Sequence, residues 1–259
     1  MFHRIIYFLG KVFTDRFTTY IQSLNIFLSV LPSLFSFKIF NRAIFRVFIR
    51  QLYFTAVQSF FPILVSALLL GSIIVNYILE LLISLNSYDR IGEFIVKVIF
   101  YEISPLIVSI IILVRSSTAV ISELSVMKLY NEIDTLVFFD IPIVEYLFLP
   151  RILAFFISSV MLNFYFIIIS LIGGYLTLGF LHEINYENYI YQITNFLGFK
   201  DLFITVLKSS IFGLILSLIS IQKGISVTNS ITEVPINLIN GMMSIVTAII
   251  LIEILFYLI

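Results

Sequence analysis

From Thr55 to Leu85 the chain carries a single charge, Glu80, in an otherwise apolar run. An α-helix crosses the hydrocarbon core of a bilayer with about 20 such residues. Four more stretches meet that requirement: Phe94–Val114, Ile152–Phe180, Leu202–Ile221 and Pro235–Ile259. Hydrophobic residues make up 61% of the 259 positions and charged residues 12%, with a mean hydropathy of +1.13. A water-soluble fold of this length has too little interior to hide that surface, and a bilayer removes the need. The expected fold class is therefore an all-α integral membrane protein with about five transmembrane helices. It forms a single domain over 1–259, with an amphipathic interfacial or elbow segment at 1–50 and the transmembrane bundle at 51–259.

Composition excludes several functions. Lys+Arg and Asp+Glu are both 15, so no bulk attraction to nucleic acid is expected. Cysteine is absent, which rules out disulfides, thiolate metal sites and a cysteine nucleophile. His3 and His182 are far apart in sequence, so no histidine metal site is expected and no cofactor is assigned to the chain. Arg4, Lys11 and Arg16 interrupt any signal-peptide core, so the first span is expected to act as an uncleaved signal.

The first fifty residues have a different character. Arg4, Lys11, Asp15, Thr18 and Gln22 fall near one helix face, with Phe2, Ile5, Ile6, Leu9, Val12 and Phe13 largely elsewhere. Lys38, Arg42, Arg46 and Arg50 are each four apart and form a basic stripe, with Phe37, Phe40, Ile44, Val47 and Phe48 beside it. This is the pattern of a helix lying in the membrane interface. Between them, Ile21–Phe40 is apolar but holds Gln22, Asn25 and Pro32, which predicts a re-entrant or interfacial elbow. Seven of the Lys and Arg residues lie in this segment, so the positive-inside rule puts the N-terminus in the cytoplasm. Five spans then place Asn86–Glu93 and the loop His182–Lys200 outside, Arg115–Arg151 inside and the C-terminus outside. Tyr186, Tyr189 and Tyr191 in the second outer loop suit interfacial anchoring.

The segment Ser116–Pro150 is too polar to span and too long for a turn. Thr118–Val137 has helical spacing, with Ile121, Leu124, Leu129, Ile133 and Leu136 apolar, and predicts a surface helix with an acidic side. It is either a solvated connector or a docking helix for a soluble partner.

Several motifs, in order, resemble the MlaE-type permeases, the membrane subunits of ABC transporters that work with MCE-domain lipid-binding proteins. They are RQLY at Arg50–Tyr53, YEISPL at Tyr101–Leu106, Arg115 through Glu132-Ile133-Asp134-Thr135-Leu136, Pro150-Arg151-Ile152-Leu153-Ala154, and Asp201-Leu202 followed by Lys208-Ser209 and Phe212-Gly213. Tyr101 stands where that family has arginine, Ser104 where it has glycine, and Asn229–Glu233 where it has a glycine-rich loop. The resemblance implies a coupling helix from about Glu123 to Leu136, with Glu123, Lys128, Glu132 and Asp134 contacting an ATP-binding subunit. It also implies a homodimer enclosing a phospholipid cavity, an MCE-domain periplasmic partner, residence in the inner membrane and a role in outer-membrane lipid asymmetry. The chain has no G-x-x-x-x-G-K-[ST] loop, so ATP would be bound and hydrolysed by a separate subunit.

Charges inside the spans point the same way. At about 1.5 Å per residue, Glu102 and Lys208 fall at similar depths, roughly 10–15 Å in from the outer side. Intramembrane charges usually pair or face a polar cavity. Glu102 with Lys208 is thus expected either as an inter-helix ion pair or as the lining of a lipid cavity, with Tyr101 beside them. Tyr77 and Leu70, on one side of the first span with Ile74, are candidates for the lipid path. Lys97, Glu80 and Glu253 lie nearer span ends, where they can snorkel. Gly173, Gly174 and Gly213 permit close helix approach. The leading function is a lipid-transporting permease. The alternatives are a secondary transporter or channel without ATP, which often shows a repeat absent here, and a membrane-embedded lipid enzyme, which usually needs a His, Asp or Cys cluster.

Overall fold

The computed structural model describes residues 2–36, 39, 41–85, 90–182, 185–228 and 230–258, with side chains described outside 2–16, 83 and 178–182. The helices are α1 (Phe2–Phe35), α2 (Arg42–Leu52), α3 (Phe60–Ser84), α4 (Ile91–Ile95), α5 (Ser104–Ile112), α6 (Thr118–Leu129), α7 (Glu132–Phe138), α8 (Leu149–His182), α9 (Tyr186–Phe196), α10 (Phe199–Ile225) and α11 (Glu233–Leu258). Wider π-helical turns occupy Tyr53–Val57, Val96–Ile103, Leu113–Ser117 and Val144–Phe148. Five helical runs are long and apolar enough to cross a membrane: Arg42–Leu82, Ile91–Leu129, Val144–Thr177, Phe199–Ile225 and Glu233–Leu258. The protein is an all-α integral membrane protein.

The spans are longer than the apolar runs that mark them. The basic segment at Arg42–Arg50 is helically continuous with the first, and Thr118–Leu129 continues the second. Helix α1 runs through Phe35, so the stretch expected as a re-entrant or interfacial elbow is helical as far as Phe35, with Pro32 inside its last turn. The expected single surface helix Thr118–Val137 is two. Asn131 adopts φ 57°, in the left-handed region, and separates α6 from α7. Asparagine is one of the few side chains that tolerate this conformation, and it commonly ends a helix there. Asp140, at φ 58°, ends α7 the same way. The Ile141 N–H donates to Leu136 O and the Asp140 N–H to Val137 O, the paired bonds of a Schellman ending.

The loop expected at His182–Lys200 contains α9. Its Tyr189 and Ile193 are buried against α4, while Tyr186 and Tyr191 are exposed. Tyr189 is therefore a packing residue and not an interfacial anchor. Burial raises its phenol pKa, and the O–H donates to Leu171 O at 3.2 Å. Lys38 of the basic stripe, residues 86–89 of the loop after the first span, Glu183, Asn229 and the side chains of His3, Arg4, Lys11, Asp15 and His182 lie outside the described residues.

Two compact units divide the chain. The first comprises Met1–Thr55, Ile112–Phe155 and Leu214–Ile259; the second comprises Ala56–Ile111 and Phe156–Gly213. In the first, α6 packs on α10 and α11 through glycine. A Cβ at Gly224 would meet Leu124 at 2.6 Å, and one at Gly241 would meet Ile121 at 2.6 Å. Helix α1 is tied in by polar contacts: Tyr20 donates to Ser244 O at 3.0 Å, and Gln222 donates to Gln22 at 2.6 Å. In the second unit, Val75, Leu79, Ile95, Ile99, Phe100 and Ile167 form the core. There α3 and α8 touch at small residues, because dispersion and not the hydrophobic effect joins helices in lipid. Ser170 donates to Ala67 O at 3.1 Å, and Gly173 packs on the Leu68 backbone.

Gly71 makes the tightest of these α3–α8 approaches. A Cβ there would lie 2.3 Å from the Ser170 carbonyl oxygen, a backbone atom that cannot swing aside. Gly71→Ala is expected to lower stability by about 1–3 kcal/mol, the usual cost of overpacking. Unfolding in detergent micelles, followed by circular dichroism, measures this; an unchanged midpoint would mean the helices are looser than described.

Candidate functional site

The site begins with a missing donor. Pro105 has no N–H, and in an α-helix that group would bond to Tyr101 O four residues back. Just before it, Val96–Ile103 is π-helical, and the Ser104 N–H reaches Ile99 O, five residues back. The carbonyls of Phe100 and Tyr101 thus fall where the ladder is irregular, inside an apolar span. Buried carbonyls need partners. Helix α10 supplies them. Lys208 Nζ donates to Tyr101 O at 2.6 Å, and Thr205 Oγ1 lies 3.4 Å from Phe100 O and 2.8 Å from Asp201 O. The buried Ser104 hydroxyl adds a long contact to Phe100 O at 3.5 Å.

Lys208 is 2% exposed, and its ammonium lies 3.6 Å from Glu102 Oε2. Glu102 is 48% exposed. The pair is therefore lopsided, with the cation enclosed and the carboxylate opening outward. Tyr101 completes the connection by donating to Asp201 Oδ1. Asp201 Oδ2 accepts from the Gly198 N–H at 2.6 Å, so this carboxylate caps the start of α10, where the helix dipole favours a negative charge. Glu102 and Lys208, expected at similar depth, meet in one cluster with Tyr101. Tyr77 and Leu70 do not join it: Tyr77 is 63% exposed on α3, Leu70 is half-buried, and no hydrogen bond links Tyr77 to the cluster among the described residues. Of the charges near span ends, Lys97 pairs with Glu93 at 2.6 Å and stays exposed.

The four residues expected at a coupling surface have unequal freedom. Glu123 pairs at 3.0 Å with Arg151, which is 2% exposed and also donates to Leu147 O at 3.1 Å. Lys128 bonds both oxygens of Asp134, at 2.9 and 3.0 Å, and braces the α6–α7 turn. Only Glu132, exposed at the start of α7, is without an intramolecular ion pair among the described residues. The exposed tip consists instead of aromatics: Tyr130, Phe138 and Phe139, with Phe138 87% exposed. Reading for charge missed both this tip and Arg151. The tip was visible as the adjacent pair Phe138-Phe139 in a segment too polar to span.

The family model described as Permease MlaE matches residues 48–259. The chain belongs to the MlaE permease family. A probable ABC transporter permease of Rickettsia prowazekii is 25% identical to it over 229 residues, 86% of this chain and 85% of the relative. A probable ABC transporter permease of Synechocystis is 22% identical over 180 residues, 70% and 68% of the two chains. The intermembrane phospholipid transport system permease MlaE of Haemophilus influenzae is 25% identical over 130 residues, half of each. This MlaE-family chain is thus a multi-pass ABC permease and a transport subunit. Both the Lys208 cluster and the α6–α7 tip fall within the matched residues, whereas all of α1 and the start of α2 precede them.

The shorter, buried bond at Lys208 is the one to Tyr101 O. Lys208→Met is expected to cost about 1–3 kcal/mol, the price of an unmet buried acceptor. Glu102→Gln should cost less than about 1 kcal/mol, because its carboxylate is half in the open. Unfolding titrations in mixed micelles compare the two, and the reverse order would mean that the ion pair holds Lys208 in place.

Proposed function

We propose that this permease moves phospholipid between the inner membrane and an MCE-domain periplasmic carrier, helping to maintain outer-membrane lipid asymmetry. The observation that carries the reading is the lopsided pair at Lys208 and Glu102. A lipid cavity must be apolar along its walls yet hold a polar headgroup at one end. A half-exposed carboxylate backed by an enclosed ammonium, inside an apolar span, meets that need. The printed description of the Haemophilus relative, which names intermembrane phospholipid transport, supports the same substrate.

The working unit is a homodimer. The most apolar window of α11 is 22% buried, against 50% for the second and third spans. Ile236, Ile239, Met243, Ile250 and Ile254 are left exposed along it, and a second copy has room to cover part of this face. ATP binding and hydrolysis belong to a separate cassette ATPase. It docks at the cytoplasmic α6–α7 tip, where Phe138 and Phe139 enter its surface and Glu132 contributes at the rim. The Lys128–Asp134 brace and the Glu123–Arg151 pair act inside the permease, keeping the tip stiff enough to transmit closure of the ATPase. The N-terminus is cytoplasmic and the C-terminus periplasmic, as the basic Arg42–Arg50 segment favours.

The test is ATP-driven transfer of a labelled phospholipid by permease, ATPase and MCE protein reconstituted in liposomes. Phe138→Ser with Phe139→Ser should reduce ATPase co-purification at least about tenfold, as loss of buried aromatic anchors does at interfaces. Glu102→Gln should keep the ATPase bound while slowing transfer by about tenfold, the worth of one charge-assisted hydrogen bond. Full ATPase binding by the double serine variant would move the docking surface elsewhere. Unaltered transfer by Glu102→Gln would remove the carboxylate from the lipid path.

A further inference from the structure

Helix α2 buries Ile44, Phe48 and Gln51 and turns its other side outward. Arg42, Arg46 and Arg50 follow one another at i, i+4 along that exposed side. They line a groove of about 610 Å³ together with Phe45, Ile49 and Phe54. No carboxylate is paired with any of the three arginines among the described residues. The Arg50 guanidinium lies 5.7 Å from the centre of the Phe54 ring, where the ring's negative face attracts it. Asn41 caps the helix by accepting from the Ala43 N–H at 3.3 Å, which fixes the first turn and with it Arg42.

We infer that Arg42, Arg46 and Arg50 form a site for the headgroup phosphate of one anionic phospholipid, whose acyl chains lie along Phe45, Ile49 and Phe54. The guanidinium fork matches phosphate oxygens, and three unpaired forks on one helix face leave a positive charge that needs an anion. The interleaved apolar side chains decide what carries that anion. Free phosphate would leave Phe45, Ile49 and Phe54 in water, whereas a lipid covers them as it fills the forks. The stretch is also continuous with a membrane-length helix, Arg42–Leu82, which sets the groove at the start of a span. Its volume suits a headgroup with the first part of its chains. The site uses none of the Lys208 cluster and does not rest on the transport reading; a lipid held here is a resident ligand, read out by binding alone.

The experiment is native mass spectrometry of the full-length permease in mild detergent. Phosphatidylglycerol, phosphatidylcholine or inorganic phosphate is added in turn. Phosphatidylglycerol should be retained over phosphatidylcholine, and phosphate should not displace it. Retention should weaken about fivefold for each arginine replaced by glutamine and about a hundredfold for R42Q/R46Q/R50Q, with phosphatidylcholine binding unchanged. R42K/R46K/R50K, which keeps the charge but not the fork, should fall between, and an unaltered melting midpoint separates lost binding from lost fold. Equal retention of both lipids by the native chain would overturn the site. So would a triple glutamine variant that still holds phosphatidylglycerol, and so would displacement by phosphate. If that variant keeps its lipid but loses an acidic protein partner, the groove is a protein surface and the proposal fails.

Discussion

Inside a bilayer no water is available to satisfy a peptide group, so every irregularity in a spanning helix must be answered from within the protein. The second span contains such an irregularity by composition. Pro105 withdraws a donor, and the preceding turns widen to π geometry over Val96–Ile103. Lys208 and Thr205 answer with side-chain donors from α10. Much else in this unit follows from that repair. Lys208 must be enclosed to reach Tyr101 O, an enclosed ammonium needs a nearby anion, and Glu102 is one residue along the same π-helical turn. Tyr101, whose carbonyl takes the ammonium, uses its hydroxyl on Asp201 and so fixes the start of α10 as well.

The same economy governs the rest of the charge placement. The buried guanidinium of Arg151 is held by Leu147 O and Glu123, again with a half-exposed carboxylate as partner. In both pairs the cation is inside and the anion is at the edge. Solvation of the anion is then largely kept, and the desolvation penalty that usually cancels a buried ion pair falls on one member only. The anion also remains available to something outside the chain. For Glu102 that something is a headgroup under the function proposed above.

The sequence made the five spans legible because twenty apolar residues in a row have few other uses. It also set Glu102 and Lys208 at similar depth on different spans, as an ion pair or as cavity lining, and the two side chains lie 3.6 Å apart. The cost of an isolated charge does the rest. What was not legible has both long-range and local causes. Helix α9 looked like a loop because its Tyr and Asn content is interfacial, and it takes α4 together with Leu171 and Tyr175 of α8 to give Tyr189 and Ile193 something to bury against. The Glu123–Arg151 pair was not legible because the two residues are 28 positions apart. The break at Asn131 was a local signal outvoted by helical spacing on either side, because a periodic pattern survives a one-residue turn almost unchanged. The exposed aromatics Phe138 and Phe139 do not stand out in a segment read for its charges.

The central claim is that Lys208 serves a carbonyl that Pro105 leaves short, and a double-mutant cycle between these two residues tests it most directly. Pro105→Ala restores the backbone N–H, so Lys208 should matter less in its presence. Unfolding free energies in mixed micelles for the native chain, P105A, K208M and P105A/K208M should show a coupling of about 1 kcal/mol or more, with the double variant more stable than the two single effects predict. Additivity within about 0.5 kcal/mol would contradict the account, because neighbours that share no acceptor are free to contribute independently.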